Sequence, residues 1–194
     1  MDKSFEKVRK TRILFDMDDV LVDYLGDLLN RFNKSKGTSY KIKDITTWSI
    51  IDILGEEASN FLYEQDMYQN IKPKKHAIEV MRRLIQSEKF DIFIVSSCFP
   101  ESYLDKINWI KKYMPFFPIK RFIPCSEKSA IWGDYLVDDC PANLIDFEKI
   151  GTPVILDMPT NRDCNEISNY KRVKNLIDFE KYLNESENLN KTTG

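Results

Sequence analysis

The chain has only four cysteines and one histidine in 194 residues. Cys98, Cys125, Cys140 and Cys164 show no Cys-x-x-Cys pairing, and with His76 they cannot complete a zinc set at the usual spacings, so they are read as reduced thiols. No apolar run approaches the ~20 residues of a membrane span, and the first ten residues lack the apolar segment of a secretory signal. A cytoplasmic compartment is the expectation. Charge of one sign is missing as well. The formal net charge is −2, so no global field recommends a nucleic-acid polymer or an anionic membrane as partner, and any phosphate site has to be local. Internal repeats and low-complexity segments are absent.

What is present suits a folded enzyme. Hydrophobic residues make up 42% and charged residues 31%, well away from the composition of disordered chains. The length fits one substantial core or a core with a small appendage. The run from Arg12 to Phe15 ends at an aspartate, and Leu21, Leu25, Leu28, Leu29 and Phe32 then recur at helical spacing. The pattern changes between residues 37 and 72, where Trp48, Ile50, Ile51, Ile53, Leu54, Phe61, Leu62 and Tyr63 cluster without a convincing strand. This segment reads as a small helical insertion.

Periodicity resumes with a helix over 74–87 and a buried-type strand at Asp91–Val95. Tyr103, Ile107, Ile110 and Met114 mark a further amphipathic helix, closed by a turn at Pro115–Pro118. Tyr135–Val137 and Val154–Leu156 read as two more short strands. Alternating helices and apolar strands imply a doubly wound α/β fold with a parallel sheet. The expected division is a core of residues 1–36 and 73–183, an inserted cap of 37–72, and a polar, aperiodic tail from 184 to 194.

In such folds the reactive groups gather beyond the carboxyl ends of the strands. Asp16 and Asp18 follow the first strand, Ser96 and Ser97 the next long one, and Asp138 and Asp139 the Tyr135 strand, with Lys128 in the loop before it. Any one cluster could be ordinary loop chemistry or a helix cap. Together they place four carboxylates near one another, which is costly without a cation, and a hard, oxygen-seeking divalent metal, Mg²⁺, is the natural partner.

In this order the residues resemble the haloacid dehalogenase superfamily, whose motifs are Asp-x-Asp, a Ser or Thr after a strand, a Lys, and paired acids. Within it, Asp16–Asp23, Leu136–Asn143 and Gly151–Asn161 look most similar to the 5′(3′)-deoxyribonucleotidases. The resemblance implies that Asp16 is the nucleophile and Asp18 the acid and base. It implies Mg²⁺ on Asp16, the main chain of Asp18 and an acid of the Asp138–Asp139 pair, with Asp139 the direct ligand. Ser96, Ser97 and Lys128 would bind the phosphoryl group, and Trp48 and Tyr68 would stack on a base. The chain departs from the family's pattern at Asp19, where Gly is usual, and at Ser96-Ser97-Cys98, where Thr-Ser-Pro is frequent.

The substrate implied is a small phosphate monoester, a deoxynucleotide in the first place and a sugar phosphate in the second. Dehalogenation has no need of the second acid that Asp18 supplies. A non-catalytic receiver module would share the acids, a hydroxyl residue and the lysine, but receivers place paired acids after the first strand and the phosphorylated Asp on a later one, with no cap, whereas here the first strand carries the spaced pair Asp16 and Asp18 and a long insertion follows. The oligomeric state, a homodimer included, is left open by the sequence.

Overall fold

The computed structural model describes residues 9–62 and 67–192, with side chains through residue 186; Tyr63 of the expected insertion cluster lies outside these residues. Six strands form one all-parallel sheet: Thr11–Phe15 (β1), Phe90–Ser96 (β2), Phe122–Pro124 (β3), Tyr135–Asp138 (β4), Thr152–Leu156 (β5) and Lys171–Val173 (β6). Their spatial order is β3-β2-β1-β4-β5-β6. The chain therefore winds outward twice from β1, which pairs with β2 on one side and β4 on the other. The α/β parallel sheet expected from the alternation of patterns is what the chain forms.

Alternation along the strands divides the core between two faces. Ile13, Phe15, Ile92, Ile94, Val137 and Val154 point to one face, which is covered by the helices Ala77–Gln86 (α3), Pro100–Tyr113 (α4) and Leu176–Thr192 (α6). Leu14, Val95, Leu136 and Ile155 point to the other and pack against Leu144 and Phe147 of the helix Pro141–Phe147 (α5). Proline at the first position of α4 and α5 fits helix starts that need no N–H there. The helix Tyr24–Lys36 (α1) ends at Gly37, whose left-handed φ of 67° lets its N–H reach the Asn33 carbonyl.

The segment between α1 and α3 contains a four-residue helix, Ile51–Leu54 (α2), and short 3₁₀ turns. Its first part packs Ile45, with Tyr40, Ile42, Ile50, Ile53 and Leu54, onto Leu25 and Leu29 of α1. Its last part joins the main core: Met67, Tyr68 and Ile71 are buried there, and the buried Trp109 donates its indole N–H to the Ile71 carbonyl at 2.9 Å.

Two elements differ from the sequence reading. The strand β6 is three residues of mostly polar edge, Lys171-Arg172-Val173, too short and too charged to stand out by periodicity. The helix α6 runs on to Thr192, through the segment read as an aperiodic tail. Adding residues to a helix already anchored by packed Phe179 and Leu183 needs no new nucleus. Asn175 starts α6 by accepting the N–H groups of Ile177 and Asp178 on its side chain.

Phe179 is fully buried and meets Phe15 edge-on at 5.5 Å and Tyr135 at 6.4 Å, tying α6 to the two central strands that carry the acidic loops. Phe179→Ala is expected to destabilise the fold by about 3–5 kcal/mol, read as a drop in the midpoint of urea unfolding. A loss below 1 kcal/mol would show that α6 is peripheral.

Candidate active site

The carboxyl ends of β1, β2 and β4 meet at one edge of the sheet. Asp16 follows β1 directly, and its N–H donates to the Val137 carbonyl, extending the ladder by one bond. Asp138 ends β4 and Asp139 follows it. Asp16, Asp138 and Asp139 each offer a carboxylate oxygen within 4.8 Å of the others, and all three are buried.

One cation stands among them. Lys128 Nζ donates to Asp16 Oδ1 at 2.5 Å and to Asp138 Oδ2 at 2.6 Å, with its own side chain only 1% exposed. Burial alone would push the ammonium down, but the two carboxylates outweigh it and hold Lys128 well above its ordinary value. Asp138 also accepts Cys140 N–H at 2.8 Å on Oδ1 and Asn143 Nδ2 at 3.0 Å on Oδ2. Among the described residues no donor reaches the Asp139 carboxylate. Burial, followed by the neighbouring Asp19, Asp138 and Asp16, raises it well above the ordinary carboxylate range, and burial above all lifts Asp16 to about 7.

Three carboxylates against one ammonium leave two negative charges uncompensated in a buried place. That is the donor set of a hard divalent cation, with Asp139 the carboxylate still free to bind it. The residues present therefore fit a metal ion.

Asp18 is turned away from this triad. Tyr68 donates its hydroxyl to Oδ1 at 2.6 Å and Lys106 donates Nζ to Oδ2 at 2.7 Å. Lys106 also donates to Ser96 Oγ at 2.9 Å and to the Ser97 carbonyl at 2.7 Å. The two acids thus have separate company: Asp16 lies beside the potential cation site, and Asp18 lies between a phenol and an ammonium. Burial, followed by the Asp18 charge, holds the Tyr68 hydroxyl well above its ordinary value, which keeps it a donor.

Asp19 explains one departure noted in the sequence. Its φ is +53°, a left-handed conformation that glycine adopts freely and that aspartate tolerates better than most residues. Its carboxylate caps α1 by accepting Leu25 N–H at 3.1 and 3.2 Å and lies 3.4 Å from Lys74 Nζ.

A cavity of about 480 Å³ opens over the triad. Asp16, Asp18, Ser97, Lys128 and Asp139 line its floor, and Leu25, Leu28, Trp48, Ile50, Ile51 and Leu62 form an apolar wall above. A second cavity of about 320 Å³ shares Asp18, Tyr24, Leu62 and Ser97 and extends past Tyr68 to Phe99 and Asp105. Tyr24 lines both and donates its hydroxyl to the Leu62 carbonyl at 2.7 Å.

The residues singled out from the sequence are thus brought to one place, with distinctions. Ser97 lines the cavities, whereas Ser96 is fully buried and its hydroxyl is taken by Lys106. Trp48 is 53% exposed on the cavity wall. Tyr68, read as a ring for stacking, is 2% exposed and presents its hydroxyl to Asp18. Lys106 and Tyr24 escaped the sequence reading. The signal for Lys106 was a lysine on the apolar stripe of α4, three residues before Trp109 and four before Ile110.

Comparison with known proteins settles the family. The family model for "5' nucleotidase, deoxy (Pyrimidine), cytosolic type C protein" matches residues 9–183. The chain belongs to this deoxynucleotidase family. The 5'(3')-deoxyribonucleotidase of Bacillus subtilis strain 168 is 29% identical over 177 residues, covering 90% of this chain and 99% of that protein. A Staphylococcus epidermidis relative is 31% identical over 92% of this chain and 98% of its own length.

Among solved structures, a haloacid dehalogenase-like protein of Agrobacterium tumefaciens aligns with a TM-score of 0.61 at 13% identity, over 92% of this chain and all of that one. A magnesium-bound haloacid dehalogenase-type hydrolase of Bacillus subtilis gives 0.53 at 15% identity, over 91% and 99%. These show the fold, which is haloacid dehalogenase-like. The family makes the chain a phosphoric monoester hydrolase of the 5′-nucleotidase type. Among the described residues no helix is long and apolar enough to cross a membrane.

The buried acids set a pH dependence. Asp16 stands at about 7, Asp19 at about 6 and Asp139 well above 3.8, all higher than in an unfolded chain. A folded state that holds protons more tightly is favoured at low pH, so this contribution is complete below about 4 and is lost as pH rises through the folded values. The metal-free protein should therefore lose melting temperature between pH 5 and 7.5, and a divalent cation, which replaces those protons, should raise it more at pH 7.5 than at pH 5. Thermal unfolding with and without Mg²⁺ checks this; a cation effect independent of pH would contradict it.

Proposed function

We propose that the chain is a Mg²⁺-dependent 5′(3′)-deoxyribonucleotidase that works through an aspartyl-phosphate at Asp16. The observation that carries this reading is the division between the two acids: Asp16 sits among the triad and Lys128, and Asp18 stands apart on Tyr68 and Lys106. The site needs one carboxylate as nucleophile and another as proton carrier, and the two environments separate those tasks.

An Asp16 oxygen attacks phosphorus, forming the acyl-phosphate bond as the P–O bond to the sugar breaks. Asp18 gives its proton to the departing alkoxide and then takes one from the water that attacks the acyl-phosphate. That second attack releases inorganic phosphate and restores the Asp16 carboxylate. Ser97 on the cavity floor supplies a hydroxyl for the phosphoryl oxygens. Lys128 offsets the charge of Asp16 and of the incoming phosphate, and Lys106 lends a second ammonium at the Asp18 side.

Mg²⁺ would be held by Asp16, Asp139 and the main-chain carbonyl of Asp18, and would supply neutralisation of the phosphoryl oxygens. Asp138, whose oxygens are taken by Lys128, Asn143 and Cys140 N–H, orients its neighbours. The apolar wall from Leu25 to Leu62 suits a flat, weakly polar leaving group, and Trp48 is the ring available to stack on a base. A deoxynucleoside fits that wall better than a polyhydroxylated sugar does, because burying unpaired hydroxyls there is unfavourable. The segment 37–72 serves as the cap that covers this leaving group.

Asp16→Asn should abolish phosphate release from deoxynucleoside monophosphates. Asp18→Asn should lower kcat by about 10²–10⁴-fold. Retained turnover in Asp16→Asn, measured by phosphate release, would remove the nucleophile. A panel of purine and pyrimidine 5′- and 3′-monophosphates, ribo and deoxy, beside sugar phosphates should favour the deoxynucleotides in kcat/KM; preference for a sugar phosphate would move the substrate while leaving the chemistry. Tyr68→Phe keeps the ring and removes the hydroxyl, so it should lower kcat more than it changes KM.

A further inference from the structure

Among the described residues, Asp139 is the one carboxylate of the triad whose side chain accepts no hydrogen bond. Lys128 fixes Asp16 and Asp138 directly, and Asp138 has two further donors. The direction of the Asp139 carboxylate is therefore set only through its backbone. The group on that backbone is Asn161, a fully buried residue 22 positions away in the loop after β5, whose Nδ2 donates to the Asp139 carbonyl at 2.9 Å.

The Asn161 amide is saturated. Nδ2 also donates to the Leu156 carbonyl at 2.8 Å, while Oδ1 accepts Met158 N–H at 3.2 Å and Arg172 Nη1 at 2.6 Å. Two donors converge on Oδ1, so the NH₂ can face only the two carbonyls, and the amide has one orientation. Arg172 is itself fixed, donating Nη1 to Asp157 Oδ1 at 3.0 Å and Nη2 to the Asn161 carbonyl at 3.2 Å. A chain of hydrogen bonds thus runs from Asp157 through Arg172 and Asn161 to the peptide that carries Asp139, joining β5 and β6 to the acidic loop.

We propose that Asn161, locked by Arg172, is the positioning residue that aims Asp139 at the bound cation. The proposal rests on the reading of Asp139 as a metal ligand. A buried Asn used only to close its loop would affect stability; one that sets a ligand's direction affects metal affinity, and outer partners of metal ligands alter affinity by about 10–100-fold.

The test is calorimetric titration of Mg²⁺ into four forms of the full chain: wild type, Asp139→Asn, Asn161→Asp and Arg172→Met. Asn161→Asp keeps size and the Oδ1 acceptor but removes both donors to the carbonyls. Arg172→Met frees the amide from a side chain that reaches solvent and touches no member of the triad, so it decides the matter if Asn161→Asp does not fold.

The expected result is binding by wild type, loss of binding in Asp139→Asn, and a dissociation constant raised on the order of tenfold in the other two. If either folded variant lowers the melting temperature of the metal-free protein yet binds Mg²⁺ as wild type does, Asn161 only closes its loop and the proposal is overturned. If wild type binds no Mg²⁺, or Asp139→Asn binds it equally well, the metal reading itself falls.

Discussion

A buried ammonium between two carboxylates organises this molecule. Lys128 brings the ends of β1 and β4 into register at the point where the sheet would otherwise concentrate negative charge, and it leaves an excess of two. That excess is met most readily by protons or by a cation, because burial penalises the charge and, among the described residues, Lys128 alone pairs directly with the triad. The raised values of Asp16 and Asp139 express the first solution, and a divalent metal is the second. Binding, pH response and chemistry follow from the same imbalance.

The second acid shows the opposite strategy. Asp18 is one residue from Met17 in the core and three from Leu21, yet its carboxylate is held by groups from two other parts of the chain, Tyr68 and Lys106. Tyr68 comes from the segment between α1 and α3. Its end of that segment is pinned to the core by the Trp109 indole on Ile71, by Lys112 on the Gln69 carbonyl and by Asp23 N–H on the Lys72 carbonyl. The part that lines the cavity with Trp48 rests on Leu25 and Leu29 of α1 and on Met158 of the loop after β5. One insertion thus contributes a fixed end to the Asp18 carboxylate and a different end to the cavity wall.

How much of this the sequence disclosed depends on whether the information is local. Asp16, Asp18, Ser96, Asp138 and Asp139 each follow an apolar run, so the rule that loops after parallel strands carry reactivity finds them. Lys106 lies on an amphipathic helix and becomes visible only when a lysine on the buried stripe is taken as a signal. Tyr68 was legible as an aromatic, but its role lies in an oxygen whose partner is 50 residues away. The distinction between Ser96 and Ser97 is a matter of which way each side chain points beyond β2, and β6 is a strand made by its neighbour rather than by its own three residues.

The order of the strands has a consequence for how the molecule is made. Asp16 precedes its counter-charge at Lys128 by 112 residues. The strand that bears Asp16 occupies the centre of the sheet and gains its second neighbour only when β4 has emerged. A growing chain that stops short of Lys128 therefore carries an unneutralised acid at the edge of a half-built sheet, so the buried acid cluster with its ammonium cannot assemble on any shorter fragment. Contacts so distant in sequence are slow to close. Turnover by this protein therefore depends on a stretch of chain that reaches at least from Asp16 to Asp139.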